Sequence, residues 1–266
     1  MAALLELEAR LDNLLATAQK ETANVDLYAP ITERRECPIC MLPLPLDSKA
    51  STFLNCCGKF ICIGCIHQGV VTNLKNGIPE DEIKKCSFCR QLTPKNTIKA
   101  LKKLTKRNNP LAYMQLAGHY KEGREVFQSD TKSLELITCA AELGEIEAFS
   151  RIGSCYQDGF AVEEDISKAV EFYEVGAKKG SISAHQRLVK FHDYRSGNSQ
   201  KSFKHLKVAA SAGDQVAMDN LMANYKVNNL LSKEDLSQTL LAFQTSRNEM
   251  KNNERDDAIA FQSTWK

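Results

Sequence analysis

The sequence predicts a mainly α-helical protein in which a small cysteine-rich α+β module precedes an α-helical solenoid. Two observations support this fold class. Eight of the ten cysteines lie between Arg35 and Gln91, and the chain after Pro110 repeats itself every 33 to 36 residues. The length of 266 residues allows two domains. The formal net charge of +2 argues against a strong field towards nucleic acid or a membrane.

The first 34 residues are predicted to form an amphipathic helix followed by a linker. Apolar residues recur at alternating steps of three and four, which is the spacing of one helix face. They are Leu4, Leu7, Leu11, Leu14 and Ala18. The stripe is short, so docking on its own chain is the first interpretation, and a homodimer through this helix is the alternative.

The cysteines of residues 35–92 predict two metal sites. Three pairs have the form C-x2-C, in which two thiolates on one tight loop bind the same ion. The eight candidate ligands are Cys37, Cys40, Cys56, Cys57, Cys62, Cys65, Cys86 and Cys89. Eight sulfur ligands make two closed tetrahedral sites, so we expect two structural zinc ions and no catalytic one. Disulfides suit secreted chains, and the acidic residues that interrupt the first apolar run argue against a signal peptide.

The order and spacing of these cysteines resemble a RING finger. Fifteen residues separate Cys40 from Cys56, and twenty separate Cys65 from Cys86. The cross-brace of that family implies that Cys37, Cys40, Cys62 and Cys65 hold the first ion. It implies that Cys56, Cys57, Cys86 and Cys89 hold the second. Zinc would then replace the core that about fifty residues cannot build alone.

One departure from the RING pattern concerns the second site. Most members have a histidine near position 59, where this chain has Lys59, and the adjacent pair Cys56-Cys57 restores the count to eight. Two alternatives stay open: His67 replaces one of the pair, or the site has three cysteines.

The resemblance also implies a function, namely a ubiquitin ligase that binds a ubiquitin-charged conjugating enzyme. Ile39 matches the apolar residue that contacts this enzyme, and Arg90 matches the cation that bridges it to ubiquitin. Arg90 is alternatively a counter-charge for the zinc thiolates. Two residues weaken the expectation, because Gly69 stands where many active members carry a bulky residue and Ser87 replaces a common proline.

Residues 93–109 are predicted to form a basic helical connector, with Ile98, Leu101 and Leu104 turned inward. A hairpin is expected over Ser51–Leu54 and Lys59–Ile61, a helix over His67–Leu74, and a charged loop over 79–85.

Residues 110–247 predict the solenoid. Small and large apolar positions recur in step, with glycines where helices end. The recurring positions are Ala112, Ala148, Ala184 and Ala217, then Leu116, Ile152, Leu188 and Leu221, then Gly144, Gly180 and Gly213. Asp130 and Asp165 are expected to cap second helices. These residues resemble Sel-1-like repeats, relatives of the tetratricopeptide repeat, with the fourth unit departing into a closing helix.

Residues 248–266, which end near Trp265, are predicted to form a polar tail, with a docked helix over 258–261 as the alternative. No catalytic triad or phosphate-binding glycine loop is present, so an enzymatic role would rest on positioning alone. Two functions stay open: a RING ubiquitin ligase whose repeats bind a protein substrate or adaptor, and a non-catalytic adaptor. A cytoplasmic or nuclear location is expected, with no membrane partner and with nucleic acid disfavoured as a partner because no basic and aromatic surface is evident.

Overall fold

The computed structural model describes residues 2–193, 197–228 and 232–263. The chain divides into two compact units. One comprises Met1–Glu33 and Asn108–Gln244, and the other comprises Arg34–Arg107 and Thr245–Lys266. The first contains the predicted repeats and the second contains the cysteine-rich segment.

The repeat unit is built from antiparallel helix pairs. After α1 (Ala2–Glu21), its helices follow one another with short connections, as the period predicts. They are α5 (Pro110–Glu122), α6 (Asp130–Glu142), α7 (Ile146–Asp158), α8 (Ile166–Lys178), α9 (Ile182–Phe191), α10 (Ser199–Ser211), α11 (Gln215–Asn228) and α12 (Lys233–Glu249).

The recurring apolar positions form the core, as predicted. All four alanines and all four large residues of the repeat pattern are at most 3% exposed. Helices α7 and α8 approach each other closely at Gly153 on α7, where an added Cβ would lie 2.5 Å from a ring carbon of Tyr173 on α8. The predicted closing helix also packs as expected, because Leu236, Leu240 and Phe243 of α12 lie against the last core cluster.

The helix ends agree with the sequence except at one cap. Gly144 and Gly180 have φ of 87° and 93°, the left-handed conformation expected just after a helix. Asp165 caps α8, accepting a hydrogen bond from the Lys168 N–H at 2.9 Å. The prediction that Asp130 caps α6 is wrong. Ser129 is the cap, because its hydroxyl accepts from the Lys132 N–H, and Asp130 is the first helical residue.

Helix α1 docks on the repeats of its own unit. It packs against α6 and α8 and buries Leu7, Leu11 and Ala18 of the predicted stripe, whereas Leu4 and Leu14 are half-buried and Leu15 is buried in addition. Three ion pairs flank the stripe, joining Arg10 to Glu142, Asp12 to Lys168 and Glu21 to Lys179 at 2.7–2.8 Å. Because the apolar face is covered within the chain, the first interpretation of this helix is confirmed, and the face of the alternative homodimer is already occupied.

The cysteine-rich unit contains the predicted hairpin and more helix than expected. Strand β1 (Ser51–Leu54) pairs antiparallel with β2 (Lys59–Cys62), so that Ser51 lies opposite Cys62. The helices are α2 (Ile63–Lys75), α3 (Glu80–Ile83), α4 (Thr97–Thr105) and α13 (Asn253–Ser263). The inward side of α4 is as predicted, with Ile98, Leu101 and Leu104 buried.

Three predictions for this unit are corrected. Helix α2 begins four residues early, because Cys62 leaves β2 and becomes its N-cap. The predicted charged loop contains α3. Three acidic residues in the first turn of this helix stabilise it by interacting with the positive N-terminal end of the helix dipole. The first interpretation of residues 248–266 as a polar tail is wrong, and the alternative of a docked helix is the observed one, since α13 includes 258–261 and packs against α2. Residues 264–266, with Trp265, lie outside the described residues.

None of the described helices is long and apolar enough to cross a membrane.

Candidate metal centre

The first C-x2-C pair lies on a tight turn over residues 37–42, which we call the first knuckle. The Met41 N–H donates to the carbonyl oxygen of Cys37 at 2.9 Å, and the Cys37 N–H donates to that of Leu42 at 2.9 Å. Met41 has φ of 58°, a left-handed conformation that is unusual for a residue with a side chain. These features turn the chain so that Cys37 and Cys40 face the same point.

The last C-x2-C pair lies on a turn of the same kind over residues 86–91, the last knuckle. The Arg90 N–H donates to the carbonyl oxygen of Cys86 at 2.9 Å, and the Cys86 N–H donates to that of Gln91 at 2.8 Å. Arg90 has φ of 60° and therefore occupies the place of Met41 in the first knuckle. The N–H groups of Phe88 and Cys89 point at the Cys86 sulfur, at 3.4 and 3.3 Å.

The central cysteines are positioned by the hairpin and the helix that follows it. Cys56 and Cys57 lie in the turn between the strands, where the carbonyl oxygen of Leu54 accepts the N–H groups of Cys57 and Gly58. Cys62 ends β2, and Cys65 lies in the first turn of α2.

The structure brings the eight cysteines together in two groups of four. Within each group all sulfur atoms lie within 4.8 Å of one another. The first group contains Cys37, Cys40, Cys62 and Cys65, and the second contains Cys56, Cys57, Cys86 and Cys89. Each group joins residues that are distant in the sequence, and the membership is the one that the RING resemblance implies.

The sulfur spacing fits a tetrahedral ion. A metal–sulfur distance of about 2.3 Å gives a tetrahedron with edges of about 3.8 Å. The sulfurs of Cys37 and Cys65 are 3.8 Å apart, those of Cys40 and Cys62 3.9 Å, and those of Cys57 and Cys86 4.0 Å. These separations are far longer than the roughly 2.05 Å of a disulfide. The donor set therefore fits zinc, although metal binding itself stays a prediction.

The electrostatics of the groups also favour a cation. Burial, together with the neighbouring Cys86, raises the pKa of Cys57 to about 11. Burial and neighbouring thiols raise the pKa of Cys56 and of Cys65 further still. Clustered thiols therefore resist ionisation on their own, and a divalent ion would offset this cost by compensating for the negative charge.

At the first cysteine of each knuckle, backbone N–H groups lower the pKa of the thiol and so oppose the effect of burial, which raises it. Burial disfavours the Cys37 thiolate, but N–H groups, including that of Cys40, outweigh it and lower the pKa to about 7. At Cys86 burial is likewise outweighed by the N–H groups of Cys89 and Phe88, so its pKa is lowered. Hydrogen bonds of this kind stabilise a charged sulfur ligand.

Neither group contains His67, and both cysteines of the adjacent pair lie in the second group. The alternative ligand sets considered for this site therefore have no support from the geometry. Lys59, the residue that departs from the family pattern, is exposed on β2.

The side chains expected to contact a conjugating enzyme lie on the two knuckles. Ile39 is 40% exposed, and Phe88, at the same place in the last knuckle, is 42% exposed. The exposed Arg90 guanidinium lies 3.7 Å from the Glu82 carboxylate. The two departures face each other, since a Cβ added to Gly69 would lie 3.1 Å from the Ser87 hydroxyl oxygen. The role of these residues in binding stays a prediction.

Sequence reasoning missed one residue at the first group. Arg255 on α13 is 2% exposed and places an Nη2 N–H 3.3 Å from the Cys40 sulfur. The available signal is the apolar run over 258–261, which supports the alternative of a docked helix but does not indicate a role for Arg255.

The comparisons with known proteins concern the repeats. The Sel1 repeat model matches residues 110–145, 147–181 and 193–214, so the chain contains Sel1 repeats, which serve as protein-interaction scaffolds. The matched residues do not include the cysteine-rich segment. No curated protein matches the sequence.

Several solved structures are similar to the chain. A Sel1 repeat protein from Oxalobacter formigenes is 26% identical, with 69% of this chain and 71% of that chain covered and a TM-score of 0.48. A protective antigen of uropathogenic Escherichia coli with an SLR fold is 22% identical. The match covers 70% of this chain and 38% of that chain, with a TM-score of 0.47. An immunity protein from Pseudomonas aeruginosa is 18% identical, with 82% and 72% covered and a TM-score of 0.42.

Proposed function

We propose that this Sel1-repeat protein is a RING-type ubiquitin ligase. Residues 35–92 would hold two structural zinc ions and recruit a ubiquitin-conjugating enzyme, while the repeats bind a protein substrate or adaptor. The observation that supports the proposal best is the interleaving of the two cysteine groups, in which the first and third cysteine pairs share one site and the second and fourth share the other.

The zinc ions have a structural role in this proposal. Each site takes four sulfur ligands, so no coordination position is left for a water or a substrate. The two sites tie both knuckles to the hairpin and to α2. Binding free energy at such sites is folding free energy, because the sites do not exist in the unfolded chain.

The ligase needs no nucleophile, because its effect is to hold the ubiquitin thioester of the partner enzyme in a reactive conformation. Ile39 and Phe88 would supply the apolar contact, as exposed side chains at the same place in two rigid knuckles. Binding interfaces draw much of their energy from a few such apolar anchors.

Arg90 would bridge the conjugating enzyme and ubiquitin. Its side chain is 57% exposed, and a guanidinium can donate to two partners at once. The contact with Glu82 is long and exposed, so giving it up for a new partner costs little.

A non-catalytic adaptor is the second candidate. It is favoured by Gly69, since α2 presents no side chain at the position where many active RING fingers place a bulky contact residue. The adjacent Ser87 occupies the space that such a side chain would need. In this case the zinc-bound module would be an interaction domain beside the repeat scaffold.

The test begins with the metal content of the purified full-length chain, for which two zinc ions are expected. Ubiquitin discharge from a panel of charged conjugating enzymes is then measured with and without the protein. We expect acceleration by the wild-type protein and a roughly tenfold or greater loss in Ile39→Ala, about the effect of removing one apolar anchor. Leu5→Ala is the matched control, because Leu5 is also an exposed aliphatic residue, at 63%, but lies in the repeat unit.

Each outcome separates the candidates. Acceleration that Ile39→Ala abolishes and Leu5→Ala preserves supports the ligase. Zinc-loaded protein that accelerates no enzyme of the panel favours the adaptor. Protein that binds no zinc overturns both.

A further inference from the structure

Arg255 is held at the first cysteine group by four hydrogen bonds. Its Nη1 donates to the carbonyl oxygen of Pro43 at 2.8 Å and to that of Met250. Its Nη2 donates to the Cys40 sulfur at 3.3 Å and to the carbonyl oxygen of Leu42 at 3.4 Å. Three of these acceptors belong to the first knuckle or directly follow it, so one guanidinium spans the whole turn.

The helix around Arg255 is built for this contact. Asn252 caps α13 by accepting the Arg255 N–H at 2.7 Å, which fixes the residue in the first turn. Met250 and Ala258, on either side of it, are 6% and 2% exposed. The helix therefore buries this face, with the arginine at its centre.

The approach to α2 is so close that only glycine fits opposite Arg255. A Cβ added to Gly64, between Cys62 and Cys65, would lie 2.7 Å from the Arg255 backbone nitrogen and 2.9 Å from its Cα. Backbone atoms cannot move aside as a flexible side chain can. The contact thus joins α13 directly to the start of α2, where Cys62 and Cys65 supply two ligands of the first group.

The charge of Arg255 requires an anion nearby. A buried guanidinium is costly unless it is paired. Among the described residues no carboxylate forms an ion pair with Arg255, and its partners that can carry negative charge are the sulfurs of Cys62 and Cys40, two members of the first group. Four thiolates around one zinc ion leave a net charge of about −2, which supplies that anion.

We infer that Arg255 is the outer-shell charge partner of the first metal site, and that the C-terminal helix α13 is part of that site. The inference rests on the zinc binding proposed above. Hydrogen bonds to metal-binding side chains orient these ligands and tune the affinity of the site for the metal. Their loss typically lowers metal affinity by about 10–100-fold. By the same linkage, metal at the first site holds α13 against α2.

The experiment compares zinc release to a colorimetric chelator from full-length wild-type protein, Arg255→Met and Arg255→Lys. In Arg255→Met we expect one of the two ions to leave about 10–100-fold faster and the other to leave at the wild-type rate. Arg255→Lys keeps the charge but not the planar fork, so its release should be intermediate. Arg107→Met is the matched control, because Arg107 is an exposed arginine of the same unit.

Cadmium NMR provides a second readout that does not depend on rates. The cadmium-loaded wild-type protein should give two resonances, one for each group of four cysteines. In Arg255→Lys, which retains the buried charge, one resonance should shift and the other should stay in place.

Unchanged release of both ions in Arg255→Met, or two unmoved resonances in Arg255→Lys, would overturn the inference while leaving the zinc proposal intact. Equal loss of both ions in Arg255→Met, with no recovery in Arg255→Lys, would overturn the assignment to one site. Wild-type protein without bound metal would instead refute the zinc proposal itself.

Discussion

Mild acid should destabilise the repeat unit through two buried histidines. His185 on α9 and His205 on α10 are both 0% exposed, and their Nδ1 atoms are 3.0 Å apart. Among the described residues, neither Nε2 has a hydrogen-bond partner. Tyr28 and His192 lie against the His205 ring, and Lys201 adds positive charge. A protonated imidazole here would therefore lack an anion.

The magnitude follows from the pKa values. Burial lowers the pKa of His185 from 6.5 to about 4, and burial with the neighbouring His185 charge lowers that of His205 to about 3. The folded state thus binds fewer protons than the unfolded state below pH 6.5, so stability is present above that pH and is lost as pH falls through it. At pH 5 each histidine costs about 2 kcal/mol, or about 4 kcal/mol together.

Urea unfolding followed by circular dichroism at pH 7 and pH 5 measures this loss. The double variant His185→Leu, His205→Leu should lose about 4 kcal/mol less than the wild type between the two pH values. Because any acid-induced loss of metal affects both proteins, it cancels in the difference. His119→Gln, a histidine on α5 outside the pair, is the control. An equal pH dependence in wild type and double variant would refute the argument.

Two further predictions concern packing and metal. Gly153→Ala should destabilise the repeats by about 1–3 kcal/mol because its Cβ overlaps Tyr173, whereas Gly118→Ala, with open space around it, should stabilise them by up to about 1 kcal/mol. Thermal unfolding measures both, and equal effects would contradict the close approach. Chelating zinc should unfold residues 35–92 while most helical signal from 110–247 persists. Loss of all helical signal together would contradict two separately folded units.

The repeats could be predicted because their signal is local and redundant. Each helix pair restates the same small and large positions, so the alanines at 112, 148, 184 and 217 specify the core four times over. Caps are less determined. Ser129 and Asp130 are both good capping residues, and one residue of difference in the helix start decides between them.

The grouping of the cysteines was predictable for a different reason. Spacing indicates that two ligands on one tight loop share an ion, whereas the combination of pairs into two sites is what the RING resemblance implies. The local backbone was less predictable. Cys62 both ends a strand and caps a helix, so α2 begins at Ile63 and not at the predicted His67.

The sequence predicts α13 only as an alternative and only over 258–261, because the stability of this helix comes from distant contacts. Arg255 and Cys40 are 215 residues apart, and the segment around Arg255 is polar and charged. Nothing local separates it from a solvated tail, since an isolated helix of this length is marginal in water. Only packing against α2 and the first cysteine group makes the helix favourable.

Gly69 and Ser87 show how two apparent departures from a family pattern can have one physical cause. A Cβ at position 69 would meet the Ser87 hydroxyl oxygen at 3.1 Å and its Cβ at 3.7 Å. A side chain at position 69 would therefore meet the Ser87 hydroxyl first, and that hydroxyl would have to rotate away. Glycine at 69 thus lets α2 and the last knuckle lie together without moving the Ser87 side chain. The exposed apolar side chains of this module then lie on the knuckles, at Ile39 and Phe88.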